Sequence, residues 1–584
     1  MRRAKIVCTL GPASDDRETI RALADAGMAV ARLNASHGTH EDRAALIERI
    51  HEVDAAVDDP LASMLDLQGP EVRTAEIDAP IDLSAESTVR FVEGDTATPD
   101  EVGLSYAISA VEPGDTVLLD DGRIETTVES VDGQTVTARV VSGGELGSRK
   151  GVNIPGVDLD LDVVTEGDRR DIEVAVEGDA DFVAASFVRD ADDVYAVTDA
   201  IENAGGDIPV VSKIERAGAV DNIDEIVEAS YGVMVARGDL GVECPLEHVP
   251  MVQKRIIHSA QDAGVPVITA TEMLDSMVHS RRPTRAEASD VANAVLDGTD
   301  AVMLSGETAI GDHPVGRGST REGVGRGVER SEEGAATRKG GLPRAAEGSQ
   351  TEALARAARF LARDLGAAAI VAVSESGYTA RTTAKFRPGV PVVATTPRDR
   401  VRRQLALSWG VDAQYAAYRE DIEGMIDAAV DTAIEAGAAE SGDTVVVLSG
   451  MMTELEGTNT TNMLKVHIAS ETVATGRSVA RGRVAGPVFR CPDGDLSDAP
   501  DGAIVVLPAT FDGQFAGDTG RIGGIVDARP GMTSYAALVA RERGVPMISG
   551  APLPDDVADG ATVTLHADRG VVYEGDVTPR EHQR

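Results

Sequence analysis

Eight short apolar runs punctuate the chain as far as Ser305: "AKIVCTL", "AVARLN", "ASMLDL", "DFVAASF", "PVVSKI", "YGVMVAR", "VPVITAT" and "DAVMLS". They are six or seven residues long, rich in β-branched side chains and mostly free of polar alternation, as expected of strands buried on both faces. Most lead into an amphipathic stretch such as "RETIRALADAGM" or "VDNIDEIVEAS", with apolar residues at helical spacing. Repeated strand-helix units predict an α/β protein with a parallel sheet. Eight of them predict a closed (β/α)8 TIM barrel, with an open doubly wound sheet as the alternative.

The pattern then departs from this rhythm at three places. Between Arg73 and Lys150 it becomes strand-rich, with "TVRFVEG", "DTVLLDDGRIETTVES" and "VDGQTVTARVV", and the Asp-Gly pairs at 121–122 and 132–133 signal tight turns. This predicts a small β-barrel domain, residues 71–150, inserted into a loop of a discontinuous barrel formed by 1–70 and 151–315. Such an insertion on the active-site face of a barrel can act as a lid. From Val315 to Gly341 the chain is rich in Gly and Arg without an apolar period, and residues 316–345 read as a linker. Strand-helix alternation resumes over 346–475, an α/β regulatory domain. Residues 481–584, with "GAIVVLPA", "YAALVARERGVPMISG" and the hairpin-like "ATVTLHADRGVVYEG", read as a further α/β unit.

Length and charge sharpen this. A chain of 584 residues accommodates about four domains. Its formal net charge of -43 repels nucleic acid and anionic membranes, which excludes both as partners, and no apolar stretch approaches the roughly 18 residues of a membrane span. Lysine is scarce, with only Lys5, Lys150, Lys213, Lys254, Lys339, Lys385 and Lys465 present. Such charge strains a compact fold unless concentrated salt screens it, so a halophile's cytosolic protein is expected. Cys8, Cys244 and Cys491 are few, odd in number and unclustered, which suits a reducing, cytoplasmic location. The apolar run at the start ends at Gly11-Pro12, too soon for a signal peptide.

The candidate chemistry sits where the apolar runs stop. Asn34, Asp66, Ser186, Lys213 with Glu215, Arg237 with Asp239, Thr271, and Ser305 with Glu307 close successive runs. In a barrel those ends share one mouth. Two carboxylates from adjacent strands, with no His or Cys nearby, are hard oxygen ligands suited to Mg²⁺ or Mn²⁺. A lysine beside them suits phosphoryl transfer or enolate formation, where positioning and charge neutralisation do most of the catalysis. The competing reading is a structural ion-pair network.

"KIVCTLGPAS", "VARLNASHG", "DLQGPEVRT", "RKGVNIPG", "SKIE", "VARGDLGVE", "ITATEMLDSM" and "MLSGETAIGDHP" occur in an order and at separations that resemble the pyruvate kinase family. The resemblance covers the barrel, the insertion and, more weakly, the following domain to about residue 470. It implies phosphoryl transfer from phosphoenolpyruvate to ADP, giving pyruvate and ATP. Carried over by motif, Glu215 and Asp239 hold Mg²⁺, Lys213 stabilises the phosphoryl group in flight and the enolate, and Arg32 neutralises the moving phosphoryl. Gly238, Ser186 and Thr271 bind substrate, Thr271 and Ser305 lie on the proton route, and Asn34, His37, Arg73 and Lys150 contact the nucleotide. The resemblance also implies a K⁺ site from Asn34, Ser36, Asp66 and the Leu67 carbonyl. Glu71 is the residue that accompanies potassium dependence. Gln68 and Glu272 depart from the family's usual Lys and Gln, and a helix usual after "GDHP" is replaced here by the Gly-rich stretch.

"SESGYTAR", Ser374 to Arg381, follows a strand and opens a helix, and the resemblance implies that a phosphorylated allosteric effector binds there. "GMTSYAALVARERGVP" resembles the swivelling phosphohistidine domain of phosphoenolpyruvate-utilising enzymes, with Tyr535 in place of the histidine. A phenol with a pKa near 10 cannot carry phosphoryl groups as imidazole does near neutrality, so a structural or regulatory tail is expected. The family implies a homotetramer. The alternatives are another metal-dependent barrel enzyme acting on phosphoenolpyruvate or a keto acid, and a catalytically dead metabolite sensor.

Overall fold

The computed structural model describes residues 3–270, 273–280, 282–315, 327, 331, 343–419, 421–450, 461–470 and 472–577. Thr271, Glu272 and nearly all of the expected 316–345 linker lie outside these residues. The chain divides into two compact units: one comprises 1–359, 372–418 and 449–462, the other 360–371, 419–448 and 463–584.

In the first unit eight strands close a parallel barrel: Lys5–Leu10, Val30–Asn34, Ala62–Asp66, Phe182–Ala185, Val210–Ile214, Gly232–Ala236, Val267–Ala270 and Ala301–Leu304. Each pairs with its sequence neighbours, and the first meets the last with Lys5 opposite Ala301, so the open doubly wound alternative is excluded. These strands lie within the eight apolar runs because parallel strands have no solvated face: Val7, Met64, Phe182, Val211, Met234 and Ile268 fill the barrel interior. Their neighbours in sequence, such as Ile6, Leu65, Val183, Val210 and Val233, pack against the outer helices. Polar side chains start those helices. The Asp16 carboxylate accepts from Thr19 N at 2.9 Å, and Thr39 with Asp42 and Thr165 with Asp168 form reciprocal capping boxes.

The insertion leaves the barrel after the third strand through Val72–Arg73 and returns through Gly151–Asn153, two short segments that pair antiparallel with Val72 opposite Val152. They are two strands of a seven-stranded sheet whose other five lie between them in sequence, and with a two-stranded sheet it surrounds a separate core containing Phe91, Val117, Val136 and Leu146. A bridge between Thr74 and Leu104 joins the two ends of the larger sheet and closes it on itself.

After the barrel, the first unit also includes the helix Tyr378–Lys385 and the parallel strands Val392–Thr396 and Val411–Tyr415. Ionic contacts bind this part to the base of the barrel. Arg403 Nε donates to Asp181 Oδ1 at 2.8 Å, and Arg387 Nη1 donates to Asp300 Oδ1 at 2.9 Å. Lys5 Nζ reaches the Val411 carbonyl at 2.6 Å.

The second unit includes an eight-stranded sheet over Thr472–Glu574. Its centre is parallel: Ala503–Leu507 pairs with Arg483–Arg490 on one side and Ile522–Asp527 on the other. The hairpin expected in "ATVTLHADRGVVYEG" is present as Thr562–His566 against Val571–Glu574. No helix among the described residues is long and apolar enough to cross a membrane.

Candidate active site

At the carboxyl ends of barrel strands two to five, an ionic chain runs almost out of water. Arg32 Nε donates to Asp66 Oδ2 at 2.5 Å, and its Nη1 donates to Thr9 Oγ1 at 3.0 Å. Lys213 Nζ lies 3.3 Å from Asp66 Oδ1 and 2.8 Å from Glu215 Oε1, and donates to Ser186 Oγ at 2.8 Å. Ser186 Oγ in turn donates to the Leu67 carbonyl at 2.7 Å. The side chains of Asp66 and Glu215 are 1% and 2% exposed, so their charges survive only through such partners.

These neighbours set the protonation of each group. Burial pushes the Asp66 carboxyl up, but Arg32 and Lys213 outweigh it and hold it below the usual range. Burial pulls the Lys213 ammonium down, yet Asp66 and Glu215 leave it raised and firmly protonated. Glu215 is pushed up to about 7, first by burial and then by Asp239, against the attraction of Lys213. Asp239, in the first turn of the helix Arg237–Glu243, is also raised, chiefly by burial. Glu215 and Asp239 thus repel each other as carboxylates in a desolvated site, the electrostatic setting in which a divalent cation is most strongly drawn.

The donor set fits hard cations. Glu215 and Asp239 supply only oxygen, and no group of three or more His, Cys, Asp or Glu among the described residues is arranged around a metal. A cation held by two carboxylates keeps its other positions for water and phosphate. Asp66 Oδ1 is buried, sees the Lys213 charge at 3.3 Å and accepts no hydrogen bond from the described residues, which suits an oxygen site for a monovalent cation. Asn34, whose Oδ1 accepts from Ser36 N at 3.2 Å, Ser36 and the Leu67 carbonyl are the other members of that expected set.

Other expected residues make contacts of their own. Arg237, expected at the mouth beside Asp239, turns to Asp290 and Gln253, with Nη1 to Asp290 Oδ1 at 2.7 Å. Arg73 is paired with Glu71 at 2.6 Å, and Lys150 with Asp120 at 2.8 Å, both where the insertion joins the barrel. The His37 carbonyl accepts from Arg43, which is itself anchored by Asp171 at 2.7 Å. Ser305 N donates to the buried Glu307 carboxylate at 2.7 Å. Thr271 lies outside the described residues.

The sequence did not single out Thr9, which steadies Arg32, or Phe187, whose N–H donates to Glu215 Oε2 at 2.6 Å. Thr9 closes the first apolar run and could have been read as another polar strand end. Phe187 gives no signal, because its part is played by the backbone. In the Ser374–Arg381 loop, Gly377 takes a left-handed φ of 78° before the helix, while Arg381 stacks over the Tyr231 ring at 4.2 Å. Tyr535 opens the helix Tyr535–Arg543, capped by Ser534, and is partly exposed.

Comparison with known proteins agrees with this architecture. The family models for the pyruvate kinase barrel domain, the pyruvate kinase alpha/beta domain and the mobile domain of PEP-utilising enzymes match residues 1–317, 352–467 and 499–570. Proteins named pyruvate kinase from Staphylococcus aureus strains MRSA252 and USA300 are each 40% identical to this chain over 594 aligned positions, covering 98% of it and 99% of the relative. Matched from end to end and built on the same barrel, the chain belongs to the pyruvate kinase family and is a phosphotransferase with a C-terminal domain of the PEP-utilising type.

Proposed function

We propose that the enzyme transfers the phosphoryl group of phosphoenolpyruvate to ADP, giving pyruvate and ATP in glycolysis, in a cytoplasm rich in potassium salts. The observation that carries this reading is the buried chain Arg32–Asp66–Lys213–Glu215, which presents two cations at a mouth rimmed by carboxylates. In this reading the P–O bond of the substrate breaks, a P–O bond to the terminal ADP oxygen forms, and the enolate left behind takes a proton at carbon to become pyruvate.

Lys213, fixed by three partners, faces the charge that moves from phosphoryl to enolate without having to reorganise during the step. Arg32, locked by Asp66 and Thr9, neutralises the phosphoryl oxygens. Glu215 and Asp239 would hold Mg²⁺ or Mn²⁺, which supplies charge neutralisation at the phosphoryl and enolate oxygens when bound. Gly238, with open space where a Cβ would stand, lets substrate approach the backbone beside Asp239, and Ser186 and Thr271 would hold the substrate with it. Asn34, Ser36, Asp66 and Leu67 would hold K⁺. Thr271 and Ser305 deliver the proton, and His37, Asn34, Arg73 and Lys150 meet the nucleotide under the inserted domain, whose closure excludes water. A phosphorylated effector at Ser374–Arg381 and a homotetramer complete the reading.

A lyase or synthase has no use for a nucleotide lid, and a dead sensor has no reason to keep costly buried charges. The test is ADP-dependent release of pyruvate from phosphoenolpyruvate in high KCl with Mg²⁺, and its loss in Lys213→Met. Absence of turnover in the parent protein would overturn the proposal.

A further inference from the structure

Phe187, two residues beyond the fourth barrel strand, has φ +58°, in the left-handed region that residues with bulky side chains seldom enter. This conformation turns its N–H onto Glu215 Oε2 at 2.6 Å. The neighbouring chain is shaped to accommodate the turn. A Cβ on Gly69 would lie 2.8 Å from the Ser186 Cβ and 3.1 Å from the Phe187 ring, so the loop after the third strand closes here only because Gly69 has none. Arg216, the residue after Glu215, lies over the Phe187 ring at 5.3 Å.

The other Glu215 oxygen, Oε1, is held by Lys213 at 2.8 Å. Donors from two different parts of the chain therefore fix the plane of one carboxylate. Each ionised oxygen has about two lone pairs, so each keeps one free after these bonds. Without the amide, rotation about the last side-chain bond would be restrained at one oxygen only.

We propose that Phe187 is a positioning residue whose left-handed backbone, through its amide, sets the orientation in which Glu215 meets a divalent cation. This rests on the reading that Glu215 holds that cation. The competing role for Phe187 is packing by its ring against Arg216 and Gly69. The two roles predict different rankings of substitutions, because left-handed backbone is open to Gly and Asn, less so to Ala and least to β-branched Val, whereas all four lose the ring.

The experiment is Mn²⁺ binding to the full-length protein without substrate, followed by electron paramagnetic resonance, for Phe187→Gly, Phe187→Asn, Phe187→Ala, Phe187→Val and Glu215→Gln. We expect Gly and Asn to stay within about threefold of the parent affinity, Ala to be weaker, and Val to lose about tenfold or more, the scale seen when a group supporting a metal ligand is removed. Equal weakening in all four Phe187 variants would assign the effect to the ring and overturn the proposal. Should Val fail to fold, Ala binding as tightly as Gly would overturn it too. Unchanged Mn²⁺ affinity in Glu215→Gln would defeat the metal reading itself. Loss there with no change across the Phe187 series would defeat only the present inference.

Discussion

Lys213 Nζ stands 2.8 Å from Glu215 Oε1, a cation and an anion two residues apart at the end of one barrel strand. The lysine neutralises a carboxylate that would otherwise be forced to take a proton, and it occupies an oxygen next to a cation's expected position. We predict that Lys213→Met lowers kcat by about 10²–10³-fold or more, the scale of losing a preorganised electrostatic group. Mn²⁺ should still bind, because the carboxylates lose a competing cation rather than a ligand. Turnover and Mn²⁺ titration on the same preparation check both halves.

Glu215 gives a pH dependence. Its carboxyl is pushed up to about 7 by burial first, so a growing fraction carries a proton as pH falls through that value. A divalent cation needs the ionised form and displaces the proton. The Mg²⁺ concentration giving half-maximal rate should therefore rise below pH 7, by up to about tenfold per unit. Binding Mn²⁺ in weak buffer should release more protons at pH 6 than at pH 8.

At the opposite end of the barrel, Asp181 is wholly buried and held by Arg403 and Ser63. Burial pushes its carboxyl up to about 6, against the pull of Arg403. The folded value exceeds the ordinary one, so the stability linked to its protonation is complete below about pH 4 and is lost as pH rises through about 6. Replacing Arg403 by Met leaves this acid without its guanidinium, a loss of about 3–5 kcal/mol where it is ionised. Thermal melts should show a larger fall in Tm at pH 8 than at pH 5, where the acid can take up a proton.

The net charge of -43 predicts a salt response. Screening shortens from about 30 Å in 0.01 M salt to about 3 Å in 1 M, so Tm should climb steadily with KCl. An unchanged melt in dilute buffer would count against a halophilic origin. A separate assay in sodium and potassium salts at equal ionic strength should give faster turnover in potassium, in line with Glu71 and the oxygens around Asp66.

The barrel was legible because parallel strands covered on both faces must be largely apolar, so the polar residues that close them stand out. That logic points to Lys213, Glu215, Asp239 and Ser186, and the structure joins Lys213 to Glu215 and Ser186. It failed for Arg237, because a polar residue beginning a helix can turn outward, here to Asp290, as readily as into the mouth. It could not find Phe187, since a backbone angle leaves no mark in side-chain chemistry. Nor could it show Thr74 meeting Leu104, because pairing between distant segments depends on how the whole sheet curls.

The insertion departs and returns through Val72–Arg73 and Gly151–Asn153, which pair with each other. Its entry and exit strands thus lie side by side within its own sheet, separated only by the spacing of neighbouring strands, about 4.8 Å. A domain joined through so narrow a base can be lengthened, trimmed or exchanged without disturbing the eight strands beneath.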